Sequence, residues 1–156
     1  HCHIDHVLGN KFVSDHYSLT PEIHPLEEPV LKHAPQYGRM YGFEMDESPA
    51  AKLSLGEGAS LKFGNTTLHH LFTPGHSPGS VCFYHAESGN VLGGDVLFQM
   101  SIGRTDLPGG NMDTLLSSIR TKLFTLPEAT IVHPGHGPET SIGFEKRNNP
   151  FLHAYS

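Results

Sequence analysis

The sequence predicts an α+β domain in which helices are layered on a run of short strands. Three observations carry this. Between Ser60 and Leu92 the chain is broken into short β-branched or aromatic-rich runs. Segments with helical periodicity lie on either side of that block. The 17 glycines and 12 prolines among 156 residues call for many tight turns between short elements. A run of strands flanked by helices is the pattern of a layered α+β domain, and 156 residues suffice for a single domain spanning 1–156 with a sizeable core.

In chain order, His1 to about Thr20 reads as a loop leading into a helix, with Phe12, His16 and Leu19 on one helical face. Pro21, Pro25 and Pro29 then interrupt regular structure. A short helix from Val30 to Phe43 follows, weakened by Pro35 and Gly38, and Asp46 to Ser48, followed by Pro49, reads as an exposed turn. Ser60–Phe63, Thr66–Phe72, Ser80–His85 and Val91–Leu92 are predicted strands of a meander, separated by Gly64-Asn65, Pro74-Gly75 and Ser88-Gly89-Asn90. Asn111 or Asp113 caps a helix running to about Phe124, burying Leu115, Leu116, Ile119 and Leu123. Thr130–His133 is a strand ending at Pro134, and a last helix starts near Ile142 and stops before Pro150. No fixed-period repeat and no low-complexity tract is present.

Composition excludes several functions. No apolar run approaches the roughly 18 residues of a membrane helix. Ten basic against 16 acidic residues, a net charge of −6, argue against a nucleic-acid surface, which rests on clustered positive charge. Two cysteines cannot staple a domain of this size, so a reducing compartment is expected. With no leader or signal segment in view, that compartment is taken to be the cytoplasm.

Thirteen histidines are the anomaly. The chain opens His1-Cys2-His3-Ile4-Asp5-His6. On an extended segment, positions 1, 3 and 5 face one way and His6 the other, a geometry that can feed two neighbouring metals. Three more candidates follow predicted strands in glycine-rich turns: His76 in Pro74–Gly79, Asp95 after Gly93-Gly94, and His136 in Pro134–Pro138. Imidazole and carboxylate together suit zinc, iron or manganese rather than calcium. Seven donors are too many for one tetrahedral ion and right for two, with the short carboxylate of Asp95 able to bridge. Two metals roughly 3.5–4 Å apart generate a hydroxide nucleophile near neutral pH, so hydrolysis is the natural chemistry. An expression tag would account for the opening six residues but not for three ligand loops downstream. His16, His24, His33, His69, His70, His85 and His153 read as surface or satisfied core residues, and His133 as either a strand-end residue or an outer-shell residue rather than a ligand. Alternation points Cys2 away from the metals as a packed thiol.

His1-x-His3-x-Asp5-His6, Gly75-His76, Gly94-Asp95 and Gly135-His136-Gly137 resemble, in order and spacing, the metallo-β-lactamase superfamily. Gly103-Arg104-Thr105-Asp106, Pro134–Thr140 and Asn149-Pro150-Phe151 resemble its glyoxalase II-like branch, the hydroxyacylglutathione hydrolases, and in particular compact bacterial members without a separate C-terminal helical domain. The resemblance implies an αββα sandwich, and assigns His1, His3 and His76 to one metal and Asp5, His6 and His136 to the other, with Asp95 between them. It implies two divalent ions, zinc first and iron or manganese as alternatives, and a catalytic role for Asp5 in orienting the bridging hydroxide. The activity it implies is hydrolysis of a small-molecule thioester, with no nucleic-acid or membrane partner. Arg104 is the candidate for gripping a substrate carboxylate, set against a structural ion pair with Asp106. Asp95 stands where many β-lactamases of the superfamily place a cysteine, and His6 where they lack a histidine ligand, which reads against that branch. A mononuclear-iron persulfide dioxygenase shares the His-Cys-His-x-Asp-His opening and the Gly-Arg-Thr-Asp string and is the enzymatic alternative; an inactive metal-binding fragment is the other. Family members carry strands ahead of the histidine motif, so the N-terminal part of the first half is expected to be absent from this chain. The native protein is then longer, or the missing piece stays associated.

Overall fold

A computed structural model describes residues 1–153. The chain separates into two compact units, His1–Leu55 and Gly56 onward. In the first, α1 (Ile4–Val7) and α2 (Asn10–Tyr17) are followed by β1 (Glu22–Ile23), a 3₁₀ turn at Pro25–Glu27, α3 (Glu28–Met40) and β2 (Lys52–Leu53), which pairs parallel with β1. Its core is Cys2, Val7, Ile23, Leu31 and Ala34. Pro29 starts α3 rather than interrupting the chain, because the first helical turn has no use for the missing N–H. Pro35 and Gly38, expected to weaken the helix, belong with Leu31 and Ala34 to its buried face. Their spacing of i, i+3, i+4 and i+7 is a core stripe. At Gly38 a side chain would press on Met45, only 3.3 Å from the position of a Cβ. In α2 no residue is buried, so the periodicity of Phe12 and His16 marks a helix without marking a core face.

The second unit is built on a six-stranded sheet of order β10-β9-β6-β5-β4-β3. Strands β3 (Ser60–Phe63), β4 (Thr66–Phe72), β5 (Val81–His85) and β6 (Asn90–Gly94) form the predicted antiparallel meander. The chain then makes a small hairpin of β7 (Leu97–Phe98) and β8 (Ser101–Ile102), which was not expected. It passes through α4 (Met112–Ser118) and returns as β9 (Ile131–Pro134), parallel to β6. β10 (Thr140–Ser141) completes the edge, and α5 (Ile142–Asn148) and α6 (Pro150–His153) follow. Asn111 caps α4 by accepting from the Thr114 N–H at 2.9 Å, and Ser141 caps α5 from Phe144 at 3.2 Å. Beyond Ser118 the helix widens into a π-helical turn, Ile119–Leu123. Leu115, Leu116, Ile119 and Leu123 are buried as predicted, against Cys82, Val91 and Val132 of the sheet and Ile142 of α5.

Glu145 explains the Asn149-Pro150-Phe151 string. This carboxylate, fully buried, accepts from the Met100 N–H at 3.0 Å, the Thr140 hydroxyl at 2.5 Å and the Asn149 amide at 2.8 Å. Asn149 also donates to the Ser101 carbonyl and accepts from the Phe151 N–H. One carboxylate thus fixes the β7–β8 turn, where Met100 holds a φ of 57°, to the C-terminal helices. His70 departs from expectation in the other direction. It is buried with neither ring nitrogen hydrogen-bonded to any described residue, its ring edge-on to Phe83 at 5.3 Å.

Glu145→Ala removes the acceptor shared by the Met100 N–H, the Thr140 hydroxyl and the Asn149 amide and empties a buried site, so we expect it to lower unfolding free energy by about 3 kcal/mol in urea titration. Replacing His70 with leucine removes an unsatisfied polar ring and should raise the melting temperature.

Candidate metal centre

Strands β4, β6 and β9 run in one direction, because β5 reverses the chain between the first two and the crossover through α4 returns it parallel. Their C-terminal ends therefore share one edge of the sheet, and His76, Asp95 and His136 follow those three ends. The Pro74–Pro78 turn is pinned at its start by Ser118, whose hydroxyl donates to the Pro74 carbonyl at 2.7 Å, and by Asn111, whose N–H donates to the Gly75 carbonyl at 2.8 Å. Asp95 is re-aimed by an irregularity in the β6–β9 register between Leu92 and Gly94. Gly94 takes a φ of 49°, a backbone angle that disfavours a side chain. His136 sits on the turn joining β9 to β10.

The electrostatics of this triplet suit a cation. Two imidazoles converge on one carboxylate oxygen: His76 Nε2 lies 3.5 Å and His136 Nε2 3.3 Å from Asp95 Oδ2. Donors that each stand about 2.0–2.2 Å from a tetrahedral ion are separated from one another by about 3.4 Å. The His76 ring is oriented by its other nitrogen, Nδ1 contacting the Arg104 carbonyl at 2.7 Å. A neutral ring that donates there presents a lone pair from Nε2, the outer-shell arrangement that fixes a ligating histidine. His76 and Asp95 are buried, whereas the His136 side chain is 57% exposed. Gly103 supports the pair from behind. A Cβ on it would overlap the Asp95 carbonyl oxygen and stand 3.1 Å from His76 Nδ1.

In the first unit the opening histidines do not alternate as an extended strand. His3 is the last extended residue and the N-cap of α1, so Asp5 and His6 lie on a helical turn. The His1 ring packs against both His3, at 4.7 Å between centroids, and His6, at 4.1 Å. His6 Nε2 is 3.5 Å from Asp5 Oδ2, and His1 and His3 bring ring nitrogens within 4.8 Å of each other. Cys2 points into the core, as predicted. Its N–H donates to Glu27 Oε2 at 2.7 Å, and burial pushes its thiol up to about 12.

The structure thus brings His1, His3, Asp5 and His6 together in one unit and His76, Asp95 and His136 in the other. Arg104 forms the ion pair that was weighed against substrate binding, Nε to Asp106 Oδ1 at 2.6 Å and a second nitrogen to Oδ2 at 2.9 Å. The guanidinium holds the exposed Asp106 carboxyl down at about 2, so the pair persists until strongly acidic pH. His133 is engaged at both ring nitrogens, by Asn90 and Glu139. Sequence reading missed Gly103 and Glu27, whose roles depend on contacts far along the chain. No helix among the described residues is long and apolar enough to cross a membrane.

A parallel-strand edge carrying imidazoles around a shared carboxylate is the arrangement of a metal-binding centre. The sequence profile of the Metallo-beta-lactamase superfamily matches residues 1–136, and the chain belongs to that family. It is 46% identical over its full length to the Probable metallo-hydrolase YqgX of Bacillus subtilis, covering 74% of that protein. It is 39% identical, again over its full length and 74% of the relative, to the Hydroxyacylglutathione hydrolase GloC of Haemophilus influenzae. Among solved structures, TTHA1623 in a di-iron-bound form superimposes with a TM-score of 0.90 at 41% identity, over 97% of this chain and 74% of that one. BLEG-1, a B3 metallo-beta-lactamase, does so at 0.88 and 44% identity, with the same coverage. The fold is that of the metallo-β-lactamases, and a fold of this kind binds divalent metals.

Two outcomes follow. Gly103→Ala should displace Asp95 and lower the metal retained after dialysis, measured by elemental analysis. With its thiol at about 12, and that of Cys82 raised by burial to about 11, neither cysteine carries appreciable thiolate at pH 8. A disulfide reagent should then detect no thiol in the folded protein and two after denaturation.

Proposed function

We propose that the chain is a binuclear metal hydrolase acting on small thioesters of the hydroxyacylglutathione type. The observation that carries the metal part is the convergence of His76 and His136 on Asp95 at ligand-to-ligand spacing. The substrate class is supported by the full-length similarity to GloC. In this reading His1, His3 and His76 would hold one ion and Asp5, His6 and His136 the other, and Asp95 would be available to both. Zinc is the first choice; iron, as in the TTHA1623 structure, and manganese suit the same donors. Bound there, the ions supply Lewis acidity and a water-derived nucleophile at neutral pH.

The residues do the rest. The Arg104 carbonyl keeps the His76 ring in register, and burial of Asp95 keeps competing water from its carboxylate. Asp5 would orient the water-derived nucleophile toward the thioester carbonyl. Arg104 receives a substrate carboxylate in exchange for its exposed partner Asp106. The thiolate leaves without a protein acid, its conjugate thiol being far more acidic than an alcohol. A cytoplasmic setting fits two buried, unpaired thiols.

Metal analysis coupled to hydrolysis of lactoyl-glutathione tests the reading. About two equivalents of metal with thioester turnover are expected. One equivalent of iron with oxygen uptake on glutathione persulfide would replace it with the dioxygenase, and turnover of a β-lactam alone would replace it with a lactamase. Metal without turnover of any of these substrates would leave a metal-binding protein. Asp5→Asn should lower kcat about 100-fold or more, and Arg104→Ala should raise KM with kcat nearly unchanged.

A further inference from the structure

The turn that carries His136 is a hairpin with almost no ladder. β9 and β10 pair at only two positions, Thr140 with Val132 and Ser141 with Ile131. Continuing that register, the next facing pair is Glu139 with His133, and the residue midway between them is His136. His136 is therefore the apex of the hairpin, and the last cross-link beneath it is made by side chains: His133 Nδ1 lies 3.0 Å from Glu139 Oε1. Side chains that face each other across a strand pair and touch in this way help to hold the pair together.

The imidazole is also anchored on its far side. Its Nε2 lies 2.7 Å from Asn90 Oδ1 on the neighbouring strand β6. The Asn90 amide is oriented in turn, since its Nδ2 donates at 2.9 Å to both the carbonyl and the hydroxyl oxygen of Ser88. His85 Nδ1 closes the chain, 2.6 Å from that hydroxyl. A line of hydrogen bonds therefore runs from the β5–β6 turn through Asn90 and His133 to Glu139, at the foot of the His136 hairpin. On the inner side of the hairpin, the Gly135 N–H donates to the Gly94 carbonyl at 2.8 Å, next to Asp95.

We propose that His133 and Glu139 form a clamp that positions the apex His136 against Asp95, and so sets the affinity of the metal position that His136 serves. The inference rests on the reading of His136 as a ligand. His133 and Glu139 are positioning residues, since neither touches the reacting atoms. A largely exposed side-chain contact of this kind adds little to global stability; its effect is local, on a five-residue turn whose tip is exposed. Outer partners that orient metal-binding histidines typically carry 10–100-fold of metal affinity.

The test is Zn²⁺ binding to the metal-stripped chain, read by competition with a chromophoric chelator, together with the thermal midpoint of the metal-free protein. His133→Ala and Glu139→Ala should each raise the dissociation constant of the weaker equivalent about tenfold. The double variant should go no further, the midpoint should be unchanged, and Glu139→Gln, which keeps an acceptor, should stay within about threefold of wild type. Unchanged affinity in Glu139→Ala, additive losses in the double variant, or a lowered midpoint with unchanged affinity would each overturn the clamp. A glutamine variant as weak as the alanine one would also overturn it, assigning the effect to net charge near the ions. His136→Ala separates the two layers. Loss of one equivalent upholds the ligand reading whatever the clamp variants do, and an unchanged stoichiometry removes that reading itself.

Discussion

The candidate centre depends on strand direction. β4, β6 and β9 must run the same way for His76, Asp95 and His136 to emerge at one edge, and only the pairing pattern secures this. The reversal through β5 costs a few residues, whereas the parallel return to β9 needs the whole passage from Asp95 to Thr130, including α4. Register matters as much as direction. Side chains alternate along a strand, so a slip of one residue at β6 would turn Val96 rather than Asp95 toward the edge. The parallel pairing of Val91 with Val132, both fully buried, opposes that slip by penalising exposure of the packed face.

Behind the edge, precision comes from contacts that leave no room. Gly103 lies so close to the Asp95 backbone that no side chain fits, and the same stretch supplies the Arg104 carbonyl that orients His76. That stretch follows directly on β8, and the β7–β8 turn is itself held by buried Glu145. The chain of support therefore runs from a carboxylate in α5, through the Met100 backbone, to the residues in contact with His76 and Asp95. In the first unit, the Glu27 carboxylate grips the backbone of Cys2, between His1 and His3. In both units a buried carboxylate with satisfied partners steadies a donor-bearing segment, which is how polar groups inside a core confer rigidity rather than cost.

Much of this was legible in the sequence, for identifiable reasons. The meander from Ser60 to Leu92 has β-branched runs and glycine-asparagine turns, and both signals are local. The helix after Asn111 has its cap and its apolar stripe within a dozen residues. What escaped depended on distant contacts. β1, β2, β7 and β8 are two-residue strands, too short to show a period. Pro35 and Gly38 looked like breakers because local propensity does not show that they belong to the buried face of α3, with Gly38 packed against Met45. The extended reading of His1–His6 was overridden by a helical turn at Ile4. The candidate donors were legible because their residue types and their strand-end turns are rare together, whereas Gly103 and Glu145 carry no mark of their role until the chain is folded.

The two imidazoles facing Asp95 are not equivalent, and this asymmetry is built into the fold. His76 is buried, its turn is pinned by Ser118 and Asn111, and its ring is held from behind by the Arg104 carbonyl. Little motion remains to be lost when a ligand atom engages it. His136 stands at the exposed tip of a two-rung hairpin, where glycines on both sides leave the backbone soft. Ordering such a turn costs conformational entropy unless the turn is ordered already. Rigidity therefore falls toward the open face of the centre, and the side chains at the foot of the His136 turn decide how far it falls.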